Sequence, residues 1–260
     1  MGHIRLGVLP RTRKWRAVVK LLTTDASLAD IVGASAEAAE SSLTNAAADD
    51  TLSHAFWLLT QLPQAARLEN FSERLWELGL SVSDTPSLLD IGAALAGAID
   101  AKSAEVHRRT DLGEIAQQAA VETILSLVGR ELPSLFSPTS DEVRKAIAKF
   151  ANSASFSVLA RDFFSRIARR SLAYYLSREL SNHIGPGERF TSSADRAEFD
   201  SALDLHCRQA SRIIKEFASG WYGKASGEGR QIAPWDASKF AHVAFRKMRQ
   251  ELRRGDAGDA

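Results

Sequence analysis

Apolar residues recur along this chain at steps of three and four, and the pattern predicts one helix after another. Residues 3–9 (HIRLGVL) alternate loosely and read as a short extended arm, ended by Pro10. Thr12 then caps a helix through Trp15, Val18, Val19 and Leu22. Asp25 or Ser27 caps an alanine-rich helix from Leu28 to about Ala47. Leu52 to Leu68 is apolar on most sides (Phe56, Trp57, Leu58, Leu59, Leu62), and Pro63 is expected to kink or split it. Asn70 or Ser72 starts a short helix through Leu75, Trp76 and Leu78, with Gly79 near its end. Thr85-Pro86 opens a helix through Leu88, Ile91, Leu95 and Ile99. Small residues from Gly92 to Ala98 let that helix approach a neighbour closely.

Residues 102–110 read as a connection, after which Asp111 caps an amphipathic helix through Leu112, Ile115, Ala119, Ile124 and Leu127. A proline-bearing loop spans 131–140, and Ser140 begins a helix to Phe150. The strongest pattern runs from Ser155 to about His183, with apolar residues around much of the circumference, as in a central buried helix. A turn-rich loop over 184–193 leads to a second long helix, Ala194 to Tyr222, with Phe199, Leu203, Ile213, Phe217 and Trp221 on one stripe. Residues 223–234 read as a flexible loop, and Asp236 caps a last helix through Phe240, Val243, Phe245 and Leu252. No β-branched run is bounded by turn signals. The fold class is therefore all-α, a multi-helix globular bundle of roughly ten helices with two long central ones.

Composition agrees. The chain has 260 residues, 45% of them hydrophobic and 25% charged, with seven prolines and sixteen glycines. That length suffices for a buried core. One cysteine, Cys207, excludes an internal disulfide framework and fits a reducing, cytoplasmic setting. No apolar run is long enough for a membrane span, and the N-terminus has no signal-peptide run. A weak boundary near 103–111 suggests four parts. These are a basic arm with the first helix (1–20), an acidic alanine-rich half (21–105), a half around the central pair (111–254) and a frayed tail (255–260). One continuous domain fits nearly as well.

Charge changes the picture. The net charge of +1 hides a sorted distribution. Residues 1–20 carry Arg5, Arg11, Arg13, Lys14, Arg16 and Lys20 and no acid, whereas 21–66 carry only acids, among them Glu37, Glu40, Asp49 and Asp50. Such separation docks an anion or an oppositely charged surface. The arm offers phosphate contacts from its arginines and Lys14, with Trp15 available for stacking. Its plainer reading is that it folds back on the acidic block. A second basic cluster, Arg246, Lys247, Arg249, Arg253 and Arg254, ends the last helix, where the macrodipole favours cations. Val18 to Leu43 has the flavour of a helix-turn-helix, but its second helix carries Glu37 and Glu40, which phosphate repels.

A third cluster lies on the long helix. Arg170, Tyr174 and Arg178 share a face, with His183 at the helix end, and make a candidate anion site. The plainer reading pairs these arginines with facing acids. His206 sits on an apolar stripe and reads as a core histidine. No metal-ligand spacing, nucleophile elbow or phosphate-binding glycine loop occurs, so no catalytic residue, metal or cofactor is assigned. The leading expectation is a non-catalytic helical adaptor that docks protein partners in a larger complex or self-assembles. Next comes a nucleic-acid-binding accessory protein using the arm and last helix. The third is a small anionic-ligand binder or enzyme around Arg170 and Arg178. A place in a bacterial defence-type multi-gene system would rest on association alone.

Overall fold

A computed structural model describes residues 13–24, 26–39, 49–105, 110–133, 137–227 and 231–254. Among them the chain forms eleven α-helices, two 3-10 turns and no strand, so the fold is all-α. The first six helices are α1 (Arg13–Leu22), α2 (Leu28–Ala38), α3 (Asp50–Ala65), α4 (Phe71–Glu77), α5 (Leu88–Glu105) and α6 (Asp111–Gly129). The others are α7 (Ser140–Ala148), α8 (Ser153–Leu180), α9 (Ser193–Ala210), α10 (Arg212–Gly227) and α11 (Pro234–Arg254).

Side-chain oxygens fix most helix starts. Ser27 accepts from the Asp30 amide ahead of α2, and Asn152 from the Ser155 amide ahead of α8. Ser192 and Asp195 form a reciprocal capping box at α9. Two caps are joined. Asp49 caps α3 through the Leu52 amide, and its other oxygen accepts from the Thr110 hydroxyl at 2.7 Å. Thr110 in turn caps α6, so it, and not Asp111, starts that helix. A cap stands outside the helical backbone while its oxygen reaches the third residue on. The same rule places the start of α5 after Ser87 rather than at Pro86; α7 begins at Ser140, as expected, with Thr139 as its cap.

Other boundaries also differ from expectation. Helix α2 is described only to Ala38; residues 40–48, into which it was expected to run, lie outside the described residues. Pro63 does not split α3, which ends two residues later, so the missing amide falls in the last turn. Helix α4 ends at Glu77, and Gly79 just beyond it, where a glycine was expected, turns the chain with a φ of 82°. The Leu80 amide then reaches the Leu75 carbonyl at 2.8 Å. Helix α5 continues to Glu105, and α10 to Gly227, where connections were expected.

The expected second long helix is two helices, broken at Ser211. Ser211 is fully buried, and its hydroxyl donates to the Arg208 carbonyl at 2.8 Å, a local bond that competes with the helical ladder. The break rephases the stripe. Phe199, Leu203 and Ala210 are buried before it, and Ile214, Ala218 and Tyr222 after it. Ile213, Phe217 and Trp221, which an unbroken stripe buries, are only partly covered.

Helix α8, 28 residues long, is central, with α6, α9 and α10 packed on it. Helix α3 packs on α6 and α11, and Phe56 of α3 meets Phe163 of α8 and Phe240 of α11. One buried cluster runs from Trp15 to Leu252. Arg189 fastens the α1–α2 turn by donating to the carbonyls of Thr24 at 2.5 Å and Ala26 at 2.8 Å. Among the described residues, no helix is long and apolar enough to cross a membrane. Cys207 is a free, buried thiol that burial pushes up to about 12, so it stays protonated.

Candidate anion-binding cavity

The end of α3 and the turn after it carry polar residues at helical spacing. Gln61, Gln64 and Arg67 follow each other at steps of three, with Leu68 beside them. Helix α4 adds Arg74, and Leu78 follows at its C-terminal end. The segment Gln231–Ile232, just before α11, closes the third side of a cavity of about 250 Å³. Its position is fixed by its own backbone. The Ile232 carbonyl accepts from the Trp57 indole at 2.9 Å and from the Gln61 amide at 3.1 Å.

The floor is a chain of satisfied bonds. Gln64 Nε2 donates to the Tyr222 hydroxyl at 2.6 Å and to the Ala151 carbonyl at 3.4 Å. The Tyr222 hydroxyl donates to the Thr60 carbonyl at 3.4 Å. The Thr60 hydroxyl donates to the Trp57 carbonyl and accepts from Gln61 Nε2 at 2.9 Å. Burial pushes the Tyr222 phenol up to about 12, so it titrates with no physiological pH change.

Charge in the cavity has one sign. The lining holds Arg67 and Arg74 and no carboxylate. Arg74 pairs with Glu77 on its own helix. Arg67 is exposed, and among the described residues its side chain has no hydrogen-bond or ion-pair partner. A cation just past the end of α3 suits that helix's negative pole. That pole is already served, because Arg144 donates to the Ala66 carbonyl at 3.2 Å.

The residues picked out in the sequence lie elsewhere. Arg5 and Arg11 are outside the described residues. Arg13 and Arg16 are exposed on α1, and Lys14 pairs with Glu37 of α2 at 3.3 Å. Trp15 is only 5% exposed. It packs on Tyr175 and donates to Glu179 at 3.4 Å, so its ring is core rather than a stacking platform. In α11, Arg246 is exposed, Lys247 lies over the Phe217 ring, and Arg249 is half-buried. The side chains of Arg253, Arg254 and Arg178 lie outside the described residues.

Each described member of the Arg170 group has its own partner. Arg170 binds Glu122 and, at 2.8 Å, Gln118. Arg166 joins the same Glu122 at 3.0 Å and Asp162 at 2.5 Å, so α6 and α8 share an ion-pair network. Tyr174 meets Tyr175 edge-on, and His183 stands 3.6 Å from Glu188. None of these residues lines the cavity. His206 is buried, and among the described residues its Nε2 has no hydrogen-bond partner. Among the described residues no group of His, Cys, Asp or Glu converges as metal ligands do.

The signal for the cavity was Gln61 and Gln64, two amides one turn apart near the end of α3. Their link to residues 231–232 needed the tertiary fold. No family model, no curated protein and no solved structure matches this chain.

Proposed function

We propose that this protein binds a small anionic ligand in the cavity between α3, α4 and Gln231–Ile232. The observation that carries the reading is Arg67, an unpartnered guanidinium on a concave wall that holds a second arginine and no carboxylate. A guanidinium grips carboxylate or phosphate through paired N–H donors. Concave low-dielectric walls also concentrate the field of such charges. The single buried Cys207 supports placing the protein in the reducing cytoplasm.

Arg67→Gln is expected to weaken binding of inorganic phosphate by about tenfold or more, the worth of one charge-assisted hydrogen bond. Titration calorimetry on the full chain measures this. Unfolding temperature should hardly change, because among the described residues the exposed Arg67 side chain makes no hydrogen bond or ion pair. Equal phosphate affinity in the two proteins removes the reading.

A second reading, docking of an acidic partner surface by the N-terminal helix, rests on a different observation. Arg13 and Arg16 are exposed and unpaired among the described residues, while their neighbour Lys14 is engaged by Glu37. On this reading the protein self-assembles, and Arg13→Glu with Arg16→Glu lowers the molar mass seen by light scattering. An unchanged mass sets self-assembly through α1 aside.

A further inference from the structure

The cavity's hydrogen-bonding capacity is lopsided, and the imbalance narrows what fits it. A glutamine amide has two N–H donors and one carbonyl acceptor. Gln61 spends both donors, on the Thr60 hydroxyl and the Ile232 carbonyl. Gln64 spends both, on Tyr222 and the Ala151 carbonyl. In each case one partner is a backbone carbonyl, which only accepts, so neither amide can be flipped without losing that bond. What both glutamines keep for an occupant of the cavity is an acceptor oxygen. Thr60 and Tyr222 are engaged in the same chain. The donors left are on the arginines and on the exposed Gln231 amide, which turns freely enough to offer either a donor or an acceptor.

Resting on the anion-binding reading above, we infer that the ligand is a small polyol that carries one anionic group. Arg67 and Arg74 take the anion, and hydroxyls of the ligand donate to Gln61 and Gln64. The volume of about 250 Å³ lies below the range of drug-sized sites and suits a single ring with its substituents. A ligand with an anion but no hydroxyl would strip water from two amide carbonyls and return nothing, which is the costly way to bury a polar group. The anion itself is phosphate or carboxylate, and matched ligands separate the two.

The test uses the full chain and two matched pairs in titration calorimetry. Inositol monophosphate is compared with cyclohexyl phosphate, and quinate with cyclohexanecarboxylate; the same four are titrated into Arg67→Gln. The expected result is that the hydroxylated member of at least one pair binds about tenfold or more tightly than its bare partner. The pair with the tighter polyol identifies the anion, and Arg67→Gln weakens that polyol. If bare and hydroxylated members bind alike and both weaken in Arg67→Gln, the cavity is an anion site and the polyol inference is overturned alone. If nothing binds, or Arg67→Gln changes nothing, the anion reading fails and takes this one with it.

Discussion

Phe56→Ala is expected to destabilise the protein by about 3–5 kcal/mol, the cost of a large cavity in a closely packed core. The ring is fully buried. It lies 5.0 Å from Phe240, 5.1 Å from Phe164 and 5.8 Å from Phe163, centroid to centroid, with Phe156 and Trp221 at 6.2 Å. One side chain of α3 thus joins α8, α10 and α11. Truncation leaves five aromatic neighbours facing a void that rigid rings on three helices cannot close by small shifts. Against a total stability of about 5–15 kcal/mol, that is a large part of the whole. Urea unfolding followed by circular dichroism reads it, with Leu89→Ala as comparator. Leu89 is 72% exposed. Its loss should stay within about 0.5 kcal/mol. Similar small losses in both variants would show that α3 is not held through the aromatic cluster.

That cluster was partly legible in the sequence. Phe56 sits on a segment apolar on most sides, and Phe163 and Phe164 sit on another, so both helices had to be central. Which rings meet could not be read, because period fixes a face and not a partner. Trp15 shows the limit from the other side. It shares the stripe of Val18 and Leu22, and that stripe decided its burial, although its basic neighbours suggested a surface role. The break at Ser211 was invisible for a similar reason. Both Ile213 and Ile214 continue an apolar pattern, and only packing on α8 selects Ile214. The cavity was the least legible feature. It joins residues 60–78 to 231–232 through the Ile232 carbonyl, a backbone group that no side-chain pattern marks.

Lowering the pH from 7 to 4 is expected to remove about 2 kcal/mol of stability through His54 alone. The imidazole is half-buried on α3, stacked on Trp57 at 5.4 Å. Burial is the main cause that brings it down from 6.5 to about 4, helped by the Lys102 ammonium and opposed by the Glu105 carboxylate. The folded state therefore resists the proton while the unfolded chain accepts it near 6.5. Above that pH both forms are neutral and the full stability is present. As pH falls from 6.5 towards 4 the unfolded state binds more protons, and stability is lost across that window. The separation corresponds to about 3 kcal/mol, reduced to about 2 by solvent screening at a partly exposed ring. Carboxylates held low by hydrogen bonds, such as Asp141 and Asp195, also lose their contributions in acid. They do so equally in His54→Gln, so the difference between the two proteins isolates the histidine. Urea midpoints across the window should show the variant gaining on the wild type by about 2 kcal/mol towards pH 4. Parallel curves would mean the ring is solvated in the fold.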